Sequence, residues 1–284
     1  MQLTFAGKTD VGKKRKNNED NFGYDEKINL FLLADGMGGH LSGEVASKIA
    51  IDTILKNVNS NLKKDNKIIG EYKKGISPEA NKLASSIRLA NQIIYEASQE
   101  KPEYRGMGTT LVSLFFLKKT VIPAYVGDSR IYLIRDGAIE QISEDHSLVQ
   151  EQIKRGIISE SEAETVDYKN IITRALGVEP GVEVDTDEIL ISKGDIFLLC
   201  SDGLTDLVKN DEILNIINTY KDLNVACNNL IDLANNYGGI DNITVILIRV
   251  EDFKKHSGVF APLVYSLFNW LNSKKRLINT RQNL

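Results

Sequence analysis

Four aspartates stand at or near glycine beside apolar runs, and an acidic pair lies near the N-terminus. Asp35 closes LFLLA and precedes Gly36; Asp128 follows Gly127 after VIPAYV. Asp202 follows IFLLCS and precedes Gly203, and Asp241 follows Gly238-Gly239 and opens onto ITVILIRV. Glu19-Asp20 ends the stretch KTDVGKKRKNNED. Any one of them reads as a turn aspartate, since Asp-Gly is a common turn pair. Together, at strand ends that can converge, they read as a carboxylate cluster. Converged carboxylates repel, and their pKa values rise unless cations sit between them. An oxygen-only set suits hard divalent ions, Mg²⁺ or Mn²⁺. With three histidines in 284 residues, zinc is a poor fit. Two such ions acidify a water held between them and clamp the oxygens of a displacement, chemistry that favours phosphoryl groups. Arg15 can meet phosphate oxygens with a fork of N–H donors. The residues alone lead to a metal-dependent phosphoester hydrolase.

Elements must bring these groups together. Short runs rich in Val, Ile, Leu and Phe at 30–34, 110–117, 121–126, 130–134, 196–200 and 243–250 read as strands. Lys118-Lys119-Thr120 reads as a hairpin link and Asp136-Gly137 as a tight turn, so pairing is antiparallel. Helical spacing covers 43–58, with Ser42 as the expected cap. A second helix starts sharply at Ser77, Pro78 and Glu79 and runs to about 98. A third covers roughly 222–236. Helices grouped between antiparallel strands predict a layered α+β domain. Residues 141–180 are polar, with two short helical pieces, and read as a surface excursion of the kind that touches ligands. After the polar break EDFKKHSG comes VFAPLVYSLFNWL, too short to span a membrane, then SKKRLINTRQNL. A docked helix, a disordered tail and a segment meeting a membrane surface or a partner all remain open there.

Bulk properties narrow the class. Hydrophobic residues make up 42% and charged residues 26%, as in soluble globular proteins. A core of this size needs no disulfides. Cys200, inside IFLLC, reads as a buried small hydrophobe, and Cys200 and Cys227 have no zinc-type spacing. The N-terminal MQLTFAGKTDVGKK lacks the apolar core of a signal peptide, and a cytoplasmic location is expected. A net charge of -4 counts against a nucleic-acid partner. The KKRK run at 13–16 is short and reads as a solvated turn.

Eight stretches in order resemble the compact bacterial form of the PP2C (PPM) metal-dependent serine/threonine protein phosphatases. They are TDVGKKRKNNED, LLADGMGGHLSGEVAS, GMGTTLV, AYVGDSRIYLIRDG, EDHSLVQ, ITRALG, LLCSDGLTD and DNITVILI. The resemblance spans about residues 3–250. It implies a four-layer αββα sandwich of two central antiparallel sheets flanked by antiparallel helix pairs. It implies a phosphatase domain at 1–250, with a flap at about 144–170 beside the active site, followed by an extension at 251–284. The family's two-ion Mn²⁺ or Mg²⁺ centre maps onto Asp35 as the bridging carboxylate, the Gly36 carbonyl, Asp202 and Asp241. Asp128, with Asp202, matches a third metal site. Glu19 and Asp20 match residues that hold metal-bound waters, and Arg15 matches the phosphate-binding arginine. The implied reaction is direct attack on phosphorus by a metal-bridging hydroxide. Met37 stands where some relatives have a histidine proposed as general acid. His40, three residues on, cannot be equated with it, and the acid is unassigned. Lys13, Lys14 and Lys16 are expected to attract phosphorylated or acidic substrates. Expected partners are phosphoproteins and a Ser/Thr kinase whose action is opposed, with peripheral membrane or protein contact through 259–284. A phosphorylated anti-sigma-factor antagonist is the alternative substrate, and a non-catalytic phosphoprotein-binding module is the alternative class.

Overall fold

The apolar runs are continuous because their strands are covered on both faces. The computed structural model describes residues 1–38, 42–61, 68–163, 166, 168 and 171–253. In chain order the elements are β1 (Gln2–Asp10), β2 (Asn21–Asp25), β3 (Leu30–Ala34), β4 (Gly36–Met37), α1 (Ser42–Asn61), α2 (Pro78–Glu100), β5 (Gly108–Thr109), β6 (Leu111–Phe116), β7 (Thr120–Val126), β8 (Arg130–Arg135), β9 (Ala138–Gln141), α3 (Leu148–Lys154), α4 (Glu160–Ala163), β10 (Asp185–Thr186), β11 (Ile189–Leu190), β12 (Ile196–Cys200), α5 (Asp202–Thr205), α6 (Asn210–Thr219), α7 (Leu223–Asn236) and β13 (Ile243–Asp252). One sheet has the order β1-β13-β12-β8-β9. The other has β10-β7-β6-β3-β2, with β11 also on β7, and β4 and β5 form a small ribbon. Every one of these strand pairs is antiparallel.

Alternation along β3 shows how the layers form. Leu30 and Leu32 pack with Ala46, Ile54, Leu83 and Ile87 of α1 and α2. Phe31 and Leu33, facing the other way, pack with Leu133, Phe197 and Ile248 of the opposite sheet. That sheet's outer face, through Leu198 and Leu247, packs on Ile213, Ile217 and Leu230 of α6 and α7. The order is therefore helices, sheet, sheet, helices, as the resemblance implied. Phe116 and Phe197 meet edge-to-face across the two sheets at 5.3 Å between ring centroids. Each such buried side chain stabilises the fold by roughly 1.5–3 kcal/mol.

The strand runs read from sequence all form strands. The hairpin at 118–120 and the turn at Asp136-Gly137 link the pairs β6–β7 and β8–β9. The Ser77 hydroxyl accepts from the Ala80 N–H at 3.2 Å and Pro78 opens α2, as expected. Ser42 stands at the start of α1, and its hydroxyl donates to the Gly38 carbonyl at 3.1 Å. β1, β2 and α6 had no clear signal. β1 is an edge strand with mixed polarity, so neither alternation nor an apolar run marks it.

Met1–Phe253 forms one compact unit. The expected membrane or partner segment at 259–284 lies outside the described residues, as do Gly39, His40 and part of the expected flap. Among the described residues no helix is long and apolar enough to cross a membrane.

Candidate active site

Asp35 sits where β3 ends, and its backbone is clasped on both sides. Its N–H donates to the Thr110 hydroxyl at 3.1 Å. Its carbonyl accepts from the Thr110 N–H and the Thr109 hydroxyl, both at 2.8 Å. The Thr110 and Ser129 hydroxyls are bonded at 2.7 Å, which ties this strand end to the turn carrying Asp128. Gly36 is glycine because a Cβ there would fall on the Gly43 carbonyl at the start of α1 and on the Glu19 backbone. Asp202 opens α5 directly after β12. A Cβ on the next residue, Gly203, would overlap the Asn242 carbonyl, so this helix start lies flush against the start of β13.

Asn242 holds the remaining acidic residues in register. Its side-chain amide donates to the carbonyls of Val11 (3.0 Å) and Asn17 (2.9 Å), and its oxygen accepts from the Glu19 N–H (2.8 Å). One side chain thus sews the 11–20 loop to Asp241 and β13. Asp20 lies beneath, 6% exposed. Its Oδ2 accepts from the hydroxyls of Ser201 (2.8 Å) and Thr244 (2.7 Å).

The carboxylates do converge, and their protonation responds. Burial, then the charges of Asp20, Asp202 and Asp128, hold Asp35 well above the usual carboxylate range. Burial, then Asp128, Asp241 and Asp206, do the same to Asp202. Asp20 is pushed up to about 6 by burial, against the pull of its two hydroxyl donors. Asp128 is pushed up to about 6 by burial and then by Asp145. Three buried oxygens of this group, Asp20 Oδ1, Asp128 Oδ1 and Asp202 Oδ1, have no hydrogen-bond partner. Unpartnered buried carboxylate oxygens are costly unless a cation meets them.

These groups are distributed over two depressions. A cleft of about 450 Å³ is lined by Arg15, Glu19, Asp35, Gly36, Asp202 and Asp241, with Lys16, Met37 and Ile172 also on its wall. Asp128 lines the neighbouring groove, which shares Asp202 with the cleft. Asp20 lines neither. Arg15, at the mouth, donates to Asp241 Oδ2 at 2.7 Å. Met37 lines the cleft wall and has no proton to give.

The donor chemistry fits hard divalent cations: oxygen ligands, several carboxylates, and three oxygens awaiting a partner. Among the described residues no set of three or more His, Cys, Asp or Glu side chains is already spaced as a closed metal cage. The fit therefore rests on the cluster's charge and its unpartnered oxygens.

Several contributors escaped the sequence reading. Thr109, Thr110, Ser201, Thr244 and Asn242 act through hydrogen bonds to backbone, to Ser129 or to Asp20, and no spacing rule marks such tethers. His146 is another. It is buried, its Nδ1 accepts from the Gly127 N–H at 3.0 Å, and its Nε2 meets Asp185 at 2.8 Å. Its backbone also bonds Gly127 and Thr173, so the expected flap leaves and rejoins the domain beside the Asp128 turn.

Comparison with known proteins agrees in fold and sequence. The family model for protein phosphatase 2C matches residues 4–243. The serine/threonine phosphatase stp of Listeria welshimeri is 40% identical over 247 residues, covering 85% of this chain and 94% of its own. The crystal structure of the Mycobacterium tuberculosis serine/threonine phosphatase PstP/Ppp superposes with a TM-score of 0.77 at 35% identity, covering 88% of this chain and 99% of that one. A structure of the catalytic domain of the phosphatase PstP in complex with two manganese ions superposes with a TM-score of 0.72 at 35% identity and the same coverage.

Proposed function

The chain belongs to the protein phosphatase 2C family and is a serine/threonine phosphatase, and we propose that its acidic cluster is a two-ion hydrolytic centre acting on phosphoserine and phosphothreonine in proteins. The observation that carries this reading is the meeting of Asp35, Asp202, Asp128 and Asp20 with three unpartnered carboxylate oxygens. The manganese ions in the related PstP catalytic domain support the choice of ion.

Asp35, the Gly36 carbonyl, Asp202 and Asp241 would hold the two ions, either Mn²⁺ or Mg²⁺. Asp128 with Asp202 would hold a third. Bound there, the ions would supply an acidified water and neutralise charge on the phosphoryl oxygens. Glu19 and Asp20 would orient waters around them, Asp20 through the oxygen that Ser201 and Thr244 leave open. Arg15 stands at the mouth with its guanidinium turned to Asp241. It can rotate one N–H pair onto a phosphoryl oxygen while staying near that carboxylate. Thr109 and Thr110 fix the Asp35 backbone, so its carboxylate enters the cleft in one direction. Met37 cannot protonate the departing serine or threonine oxygen.

The same reading has the enzyme opposing a Ser/Thr kinase on phosphoprotein substrates. The buried, unpaired Cys200 and Cys227 fit a reducing compartment such as the cytoplasm. The test is hydrolysis of a phosphothreonine peptide by the chelated protein before and after Mn²⁺ is restored, for the parent and for Asp35→Asn. Turnover should need the ion, and the variant should lose at least about a hundredfold with an unchanged circular dichroism spectrum. Full turnover in chelator would overturn the reading.

A further inference from the structure

His146 is buried, and both of its ring nitrogens are engaged. Nδ1 accepts from the Gly127 N–H at 3.0 Å, so it carries no proton. The ring proton therefore sits on Nε2, which donates to Asp185 Oδ2 at 2.8 Å. Arg174 donates to the same oxygen at 3.0 Å, and Tyr125 stacks on the ring at 5.6 Å between centroids. These contacts fix the tautomer and the plane of the ring. The His146 N–H donates in turn to the Gly127 carbonyl at 2.9 Å. Gly127 is thus gripped at both of its backbone polar groups by one residue.

Gly127 precedes Asp128, and the other side of this turn is held as well. Gly127 has a φ of +107°, and a Cβ there would fall on Thr110. Ser129 bonds the Thr110 hydroxyl at 2.7 Å, and Thr110 clasps the Asp35 backbone. Asp128 therefore sits between a histidine clamp and a threonine clamp. Its Oδ1 is buried without a hydrogen-bond partner, and it lines one groove with Asp202. We propose that His146 is a positioning residue for Asp128. Through the Gly127 N–H it keeps the turn in the conformation that brings the Asp128 carboxylate to the groove of Asp202. It thereby sets the affinity of the ion these two carboxylates would share. The proposal rests on the metal-centre reading above and adds a residue to it. Groups of this kind act on a metal by fixing its ligands in place. The ions of the reaction cleft should feel His146 little. Thr109, Thr110 and Asn242 hold Asp35 and the 11–20 loop by other bonds.

Two substitutions separate the two ring nitrogens. His146→Asn puts an acceptor oxygen where Nδ1 stands. His146→Gln puts a polar group where Nε2 stands and leaves the Gly127 N–H without its acceptor. Mn²⁺ is titrated calorimetrically into the metal-free full chain, and the ion lost in Asp128→Asn identifies the site. His146→Gln should weaken that ion about tenfold or more and leave the others in place. His146→Asn should recover most of the loss. Equal losses in the two variants, an unchanged Asp128 ion in His146→Gln, or a loss spread over every ion would each overturn the proposal. Nitrogen-15 spectra of the parent give a check that needs no variant. Nδ1 should be unprotonated and coupled to the Gly127 amide, and a proton on Nδ1 would overturn the proposal by itself. If the parent binds no Mn²⁺, the metal-centre reading fails. If the parent binds Mn²⁺ but Asp128→Asn loses no ion, the ion given to Asp128 fails, and the role of His146 with it. If that ion is present and both His146 variants match the parent, only the role of His146 fails.

Discussion

A carboxylate buried among other carboxylates binds protons until a cation replaces them. Asp20 and Asp128 are both pushed up to about 6, from about 4 in the unfolded chain. Between those values the metal-free fold binds more protons than the unfolded chain, so its stability falls as pH rises. The stabilisation is complete below about pH 4 and lost through about pH 6. Asp128→Asn removes one such group, worth at most about 3 kcal/mol. In chelator at pH 7 the variant should therefore resist urea better than the parent, and the difference should vanish below about pH 4. A less stable variant at pH 7 would contradict the electrostatic account. Arg15 presents the opposite sign at the mouth. Arg15→Ala removes a charge-assisted contact worth about 1.5–3 kcal/mol, so KM for a phosphopeptide should rise about tenfold or more with kcat little changed. Steady-state kinetics checks this, and an unchanged KM would refute the role given to Arg15. At this scale the sequence revealed the acidic residues themselves, because Asp beside Gly at a strand end is a local pattern. It did not reveal that Asp20 is half engaged by Ser201 and Thr244, since those hydroxyls come from distant segments.

Elements turn those residues into a site by ending in the right place. β3 and β12 were legible as apolar runs, and their last residues set where Asp35 and Asp202 emerge. What the runs could not show is how the loops between them are held. Asn242 bonds three backbone groups of the 11–20 loop. Asn242→Ala leaves those groups to compete for water and should cost about 3 kcal/mol of stability. It should also speed hydrogen exchange in residues 11–20 more than in β12. Uniform exchange across both segments would mean that the tether is not local. His146 was invisible for a related reason: its partners Gly127 and Asp185 are brought to it by the strand order, not by spacing.

The whole molecule explains why the cluster can exist at all. Two sheets packed through Phe31, Leu33, Phe197 and Ile248 form a rigid double layer, and the four key aspartates emerge from strand ends of both sheets. Repulsion among them is opposed by packing that lies a layer away. The layered α+β class was legible from runs and helix spacing, because each layer leaves its own periodicity. The pairing of strands within each sheet was not, because antiparallel neighbours such as β1 and β13 lie far apart in the chain. The central claim is that ions complete this convergence, and anomalous diffraction at the manganese edge from crystals grown with Mn²⁺ tests it most directly. The account predicts two strong peaks among Asp35, the Gly36 carbonyl, Asp202 and Asp241, with any third peak at Asp128 and Asp202. Manganese bound only away from these groups, or no peak among them, would contradict it.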